Sequence, residues 1–499
     1  MKNKACGARQ MKALLINPPG KTSKYKKHSF LRFTAPPLGL AYIAAYVEQY
    51  GYDVKIIDAP PLGLTAEQVL KIAKRYNPDI IGIQSLTPNY YEAINVANLL
   101  KKEIQNAKIV MGGPHPSLLP NETFSDSPAV DMIVRGEGEI TFYELLKHLE
   151  GKKSLKDIQG ISYRKNGKIV HNPDRPFIKN LDSLPFPARH LLPMNAYRIF
   201  GMRVPGTSMI SSRGCSFPCD FCVVSSYWRR IWRARSAKNV VDEMEEIINT
   251  YKYLAIAFVD DLFAVSKKRV YEIVREIKKR KLDVIWGATV RADTVDRNLL
   301  RAMRDAGCVM LYIGVESGDQ NVLDSISKLT TVEQYKRFFK WANEIGIDTI
   351  ASFAIGFPED TPKSILKTIE FAVELNPTHI VFALATPYPG TRFYERAKKM
   401  GIINENDYHK YSLFRPVIKT NNLTPEQLKQ YLIYAYQRFY MRPTFLLRSV
   451  IHEAKFASEV YGYKIFFRIL ISGLWPFMKT ILSLKKILAE KGNSKMEGD

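Results

Sequence analysis

Cys215, Cys219 and Cys222 lie within the run Gly214-Cys215-Ser216-Phe217-Pro218-Cys219-Asp220-Phe221-Cys222. Three thiolates separated by three and two residues wrap one corner of a [4Fe–4S] cubane from a single loop. They leave one iron without a protein ligand. An open position is what a substrate-binding metal centre needs. A zinc site would want a fourth Cys or His nearby, and none lies close in sequence. The other two of the five cysteines, Cys6 in a polar leader and Cys308 in an apolar run, read as ordinary thiols. They are too few for a second four-cysteine cluster, and five cysteines in 499 residues suit a reducing compartment.

The elements that must position this loop form a β/α series from about residue 206 to 400. Strands are expected at Ser208–Ser211, Tyr253–Val259, Val284–Thr289, Met310–Val315, Asp348–Ala354 and His379–Leu384. Helical patterns separate them. Six units over about 190 residues suit a partial (β/α)6 TIM-like barrel, because a closed eight-stranded barrel needs about 250. The cysteine loop follows the first strand, at the C-terminal end where barrel sites are built.

An earlier alternation of strands and helices, from Ala13–Asn17 to Thr141–Leu149, predicts a doubly wound, Rossmann-like α/β domain over 11–150. Ligands of such sheets sit at the carboxyl ends of strands, at a switch point. Four loops stand there: Asn17-Pro18-Pro19-Gly20, Ser85-Leu86-Thr87, Gly112-Gly113-Pro114-His115 and Gly136-Glu137-Gly138-Glu139. No Gly-x-Gly-x-x-Gly follows the first strand, which argues against a dinucleotide site. Residues 1–10 read as a disordered tail, and 151–205 as a hairpin around Asn166-Gly167 followed by a Pro-rich linker. Residues 401–499 read as a helical C-terminal region.

The Cys-x₃-Cys-x-aromatic-Cys run resembles that of the radical S-adenosylmethionine (SAM) superfamily, and the first domain resembles the cobalamin-binding domain fused to many of its members. Together the resemblance covers about four-fifths of the chain. It implies an enzyme that cleaves SAM reductively to a radical that takes hydrogen from a substrate carbon. Further segments match. Val259-Asp260-Asp261 corresponds to the region near the SAM amino group. Arg291 corresponds to a partner for the SAM carboxylate, which a guanidinium binds bidentately. Glu316 in Gly314-Val315-Glu316-Ser317-Gly318 resembles the ribose-facing position, Ile355 in Ile355-Gly356-Phe357-Pro358 the adenine-packing one, and Tyr388-Pro389-Gly390-Thr391 the turn after the sixth strand. Ser85, Thr87, Gly112, Gly113 and Gly136 correspond to corrin-contacting positions. The Asp-x-His-x-x-Gly motif that supplies an axial histidine elsewhere is absent, and His115 is read as a loop residue rather than a cobalt ligand. No residue is assigned as the catalytic acid or base.

Net charge is +24, which calls for an anionic partner: lipid headgroups or nucleic acid. Tyr463–Lys479 mixes aromatics, aliphatics and cations with runs too short to span a bilayer. It suits an interfacial helix, with Trp475 at headgroup level. Tyr-x-Arg-Phe-Tyr-x-Arg-Pro, at 436–443, resembles the branch that modifies hopanoids, tetraether lipids or chlorophyll precursors. The expectation is therefore a cobalamin-dependent radical SAM enzyme acting on an unactivated carbon of a membrane lipid, by methylation or by ring closure or carbon–carbon bond formation. It would be cytoplasmic, peripheral to the membrane, and reduced by a donor such as ferredoxin or flavodoxin. RNA modification is the alternative, with the positive charge serving phosphates, but no RNA-binding module such as an OB-like segment is evident. A non-catalytic cluster-bearing sensor is the third reading.

Overall fold

Runs of apolar residues buried on both faces dictate parallel strands here. Ala13–Ile16 and Ile80–Ile83 are two such runs. The computed structural model describes residues 10–20, 34–198, 205–420 and 422–445. Its first sheet contains β1 (Lys12–Asn17), β2 (Asp53–Asp58), β3 (Ile80–Gln84), β4 (Lys108–Gly112), β5 (Met132–Val134), β6 (Ile161–Lys165) and β7 (Lys168–His171). The order is β2-β1-β3-β4-β5-β6-β7. β1 to β5 pair in parallel, whereas β6 and β7 run antiparallel. The chain leaves β1 in one direction and returns at β3 on its other side, which makes the switch point expected of a doubly wound sheet.

The hairpin differs from its expected place between the domains. Asn166 and Gly167, at φ 50° and 77°, make the tight turn their residue types favour. Ile161 and Tyr163 are buried, and β6 extends the first sheet along β5. The first domain therefore runs beyond residue 150, to His171. An unpaired β5 edge would leave backbone groups unsatisfied, and the hairpin removes it.

The second sheet is the open half of a barrel. β8 (Gly206–Met209) is followed by a short antiparallel pair, β9 (Ser212–Arg213) and β10 (Arg233–Ala234). Then come β11 (Ala255–Phe258), β12 (Ile285–Val290), β13 (Cys308–Glu316), β14 (Asp348–Ile355) and β15 (His379–Leu384). Six strands, β8 and β11 to β15, pair in parallel in sequence order, and β8 does not meet β15. Helix Pro425–Tyr440 covers the β15 edge. Its Tyr436 and Tyr440 hydroxyls, one turn apart, accept from the Phe382 and Ile380 N–H groups at 3.0 Å each and donate to the same residues' carbonyls. The edge strand is thus satisfied by side chains instead of a seventh strand.

Residues 402–418 are not helical throughout: Ile403 and Ile418 form an antiparallel bridge. Ile402, Tyr408, Tyr411, Val417 and Ile418 pack into one apolar cluster with Tyr90 and Phe124 of the first domain and Phe357 and Phe393 of the second. A shared core of this kind holds the two sheets in one orientation. Among the described residues no helix is long and apolar enough to cross a membrane. The expected leader with Cys6 and the segment Tyr463–Lys479 lie outside the described residues.

Candidate active site

The cysteine loop leaves the short β9–β10 pair at Arg213 and returns to it at Arg233, its cross-strand partner. Gly214 opens it at φ 88°, where a Cβ would fall 2.0 Å from the Ile231 carbonyl oxygen, so only glycine passes. Cys215, Cys219 and Cys222 are all half-buried and free of disulfides. Burial raises the Cys215 and Cys222 thiols, Cys222 to about 12, and the neighbouring Cys219 pushes the same way. Bare thiols of this kind stay protonated, and a metal binds by displacing those protons. Among the described residues no three His, Cys, Asp or Glu side chains converge on a single ion position. A cubane spreads its thiolates over separate irons, so its ligands need no common point. A loop bearing three closely spaced thiols and no fourth ligand fits that group.

Positive charge stands over the loop. The Arg291 guanidinium lies 3.6 Å above the Phe217 ring, with Nη1 3.9 Å from the Cys219 sulfur. Asp293 and the Lys328 carbonyl hold it there at 2.9 and 2.8 Å. Lys328 was not anticipated from the sequence. Its ammonium is buried and lies 2.7 Å from Glu316 Oε1. Burial opposes its charge, but Glu316 outweighs that and keeps Lys328 firmly protonated. Glu316 sits in a strained left-handed conformation, φ 69°. A Cβ on Gly314 would meet Glu316 Oε1 at 2.4 Å and Lys328 Nζ at 2.9 Å, which is the reason for glycine there. Arg291, Glu316 and Lys328 thus form one group at the carboxyl ends of β12 and β13, beside the cysteine loop.

The two aspartates expected side by side separate. Asp261 accepts from the Gly214 N–H at 2.9 Å and lines the cavity described below, and burial raises its carboxyl. Asp260 turns the other way. Buried, it is taken up by the Ser211 N–H and the hydroxyls of Ser211 and Ser212, at 2.6–2.7 Å. It braces the start of the loop and has no place on the cavity wall. Adjacent residues of an extended segment point to opposite faces, so only Asp261 lines the cavity. Ile355 is buried at the end of β14, and Gly356 follows at φ 90° with the N–H groups of Gly356 and Phe357 on the Asp360 carboxylate. The turn at Tyr388–Thr391 ends in a helix whose Phe393 N–H donates to the Asp220 carbonyl, tying the sixth strand back to the cysteine loop.

A cavity of about 360 Å³ opens between the two sheets. One wall is backbone: Gly112, Gly113, Gly136 and Gly138 at the carboxyl ends of β4 and β5. A Cβ on Gly113 would come within 2.6 Å of the Ser85 carbonyl oxygen, and one on Gly138 within 2.6 Å of Ile43. The opposite wall carries Arg213, Tyr227, Trp228 and Asp261. Tyr227 closes the rim by donating to the Gly136 carbonyl at 2.9 Å. A glycine-rich wall facing the rings of Tyr227 and Trp228 fits a flat macrocycle, the shape of a corrin. Ser85 and Thr87 stand behind the wall. Ser85 Oγ is buried with no hydrogen-bond partner, and Thr87 Oγ1 pairs with His115 Nδ1 at 3.0 Å. His115 is 2% exposed, stacks on Tyr90 and is absent from the cavity lining, and burial lowers it to about 4. Cys308 is buried in β13, away from the loop, and its thiol is raised by burial. Tyr227 and Trp228 were not anticipated either; the signal that could have found them is the aromatic pair shortly after the third cysteine. Nothing local pointed to Lys328.

The B12 binding domain family matches residues 31–146, and the radical SAM superfamily matches residues 209–372. An uncharacterized methyltransferase of Pyrococcus horikoshii is 39% identical over 89% of this chain and 96% of its own. The anaerobic magnesium-protoporphyrin IX monomethyl ester cyclase of Rubrivivax gelatinosus is 31% identical, covering 82% and 75%. The hopanoid C-3 methylase of Methylococcus capsulatus is 25% identical, covering 80% and 75%. The fold is that of the cobalamin-dependent SAM radical enzyme OxsB, solved with aqua-cobalamin and SAM bound: TM-score 0.72 over 97% of this chain and 81% of that one, at 18% identity. The two matched domains bring SAM with a [4Fe–4S] cluster, and cobalamin, as the cofactors of the family. With 39% identity along nearly its whole length, the chain belongs to the radical SAM enzymes that carry a B12-binding domain, and is an enzyme of the cobalamin-dependent methyltransferase type.

Proposed function

We propose that Cys215, Cys219 and Cys222 hold the [4Fe–4S] cluster and that the enzyme alkylates an unactivated carbon of a membrane lipid, with methyl transfer as the outcome and ring closure as the variation within the class. When bound, the cluster supplies an electron for cleaving SAM, and cobalamin carries a methyl group. The observation that carries the reading is the shared cavity: the helix that follows Cys222 supplies Tyr227 and Trp228 to the space walled by Gly112, Gly113 and Gly136.

The chain's own residues then divide the work. Arg291 and Lys328 offer two cations for a carboxylate beside the cysteine loop, and Glu316 offers acceptors for hydroxyls. Asp261 faces the cavity with a carboxyl raised by burial, placed to accept from an ammonium. Tyr227, Trp228 and the closed rim exclude water, which strengthens each of these contacts.

A lipid substrate is supported by the net charge of +24, by the amphipathic segment Tyr463–Lys479, and by the hopanoid methylase among the relatives. Lipid extracts of a deletion strain and its parent test it. A methylated or cyclised lipid missing from the deletion strain is the expected result. Identical lipid profiles, with a change confined to modified nucleosides of tRNA, would move the substrate to RNA.

A further inference from the structure

The neck of the cysteine loop is anchored on the other domain. Arg213 and Arg233, paired across β9 and β10, both reach Glu137. Arg213 Nη1 lies 2.7 Å from Glu137 Oε1, and its Nη2 lies 2.6 Å from Glu139 Oε1. Arg233 Nη1 lies 2.9 Å from each Glu137 oxygen. All four side chains are at most 9% exposed. Glu137 and Glu139 belong to the segment Gly136–Glu139 that walls the cavity, whereas Arg233 stands outside it, over the rings of Phe177 and Trp228. Two cations and two carboxylates therefore close a neutral quartet, and each domain contributes one sign. In so buried a place the attraction changes steeply with distance, and any displacement of one segment strains the other.

We propose that Arg213 and Arg233 are positioning residues that make the two cofactor sites interdependent. Ordering the cysteine loop around its cluster sets the neck, the neck sets Gly136–Glu139, and that wall sets the fit of the corrin. The inference rests on the reading of the loop and the glycine wall as cofactor sites. Coupling of this kind is reciprocal: a cluster that tightens corrin binding is itself retained better when corrin is bound.

The test is the dissociation constant of hydroxocobalamin for full-length protein, measured by equilibrium dialysis with and without the reconstituted cluster. Wild-type protein is expected to bind at least about fivefold more tightly with the cluster, the low end of ordinary site-to-site coupling. Arg233→Gln is expected to bring that ratio to about one without changing iron content. Arg233→Lys, which keeps a cation on Glu137, is expected to recover part of it, a rescue that simple packing would not give. Equal constants for wild-type protein in the two states overturn the proposal, as does an undiminished ratio in Arg233→Gln. Wild-type protein that takes up iron but no cobalamin removes the cofactor reading itself, and the inference with it.

Discussion

Lys328 Nζ lies 2.7 Å from Glu316 Oε1, buried at the carboxyl end of β13 and directly over Gly314. The lysine is flanked by Ser327 and Leu329, both in the left-handed region at φ 54° and 56°. Three strained residues, counting Glu316, thus hold one ion pair. Removing one member of a buried pair leaves an uncompensated charge and costs about 3–5 kcal/mol. Lys328→Met is therefore expected to lower stability by that order in urea unfolding and to weaken SAM binding by calorimetry. Lys328→Met with Glu316→Gln is expected to recover most of the stability but not the SAM affinity. Full SAM affinity in the single variant would show that the lysine only braces the fold.

Cys219→Ala keeps the loop backbone but leaves two thiols. Anaerobically reconstituted protein of this variant is expected to lose most of the about four irons of a cubane and all 5′-deoxyadenosine formation with dithionite. Iron analysis and chromatography of the reaction check both. Retained cleavage would place the cluster elsewhere.

Gly113→Ala adds a methyl group 2.6 Å from the Ser85 carbonyl at φ 104°. Backbone cannot yield as a flexible side chain can, so the glycine wall must shift. Cobalamin binding is expected to fall at least tenfold, roughly 1.4 kcal/mol, with iron content unchanged. Loss of both together would mean a folding defect, read by circular dichroism.

His115 provides a pH signature. Its folded value is lowered to about 4 by burial, below the ordinary value of about 6.5. Between those limits the unfolded chain binds the extra proton, so the contribution of His115 to stability is present above pH 6.5 and is lost as pH falls towards 4. The span corresponds to roughly 3 kcal/mol. Asp58 and Asp360, both raised to about 6 by burial, titrate in the same window with the opposite sign. The quantity to measure is therefore the difference between wild type and His115→Phe in urea unfolding from pH 4 to 7, which is expected to narrow as pH falls. The cobalamin spectrum of the variant is expected to match wild type, because the imidazole is not on the cavity wall. A changed spectrum would make His115 an axial ligand.

Deleting residues 460–499 tests the membrane reading. Full-length protein is expected to co-sediment with anionic vesicles, and high salt to weaken but not abolish this, since the apolar contribution is unscreened. The truncated protein is expected to stay in solution and keep uncoupled SAM cleavage. Aggregation of the truncated protein, with no vesicle binding by the intact one, would make the segment a packed helix of the fold.

Local patterns in the chain determined a good deal. The strands of both sheets are runs whose burial is written in their composition, and periodicity located them within a residue or two. The cysteine loop was legible because its three thiols fall within eight residues of sequence, and the glycine wall because glycine at a strand end signals close approach. Asn166-Gly167 declared its turn for the same local reason, although not which sheet its hairpin would join. Tertiary structure alone decided the rest. That Asp261 faces the cavity and Asp260 does not depends on a register no single strand defines. Lys328 became part of the site because Glu316, twelve residues earlier, folds back over Gly314 to meet it. Arg213 and Arg233 found Glu137 from 76 and 96 residues away. Pairings at such separations depend on how two sheets are turned against each other. That orientation is the outcome of packing a shared core, to which each residue contributes only a part.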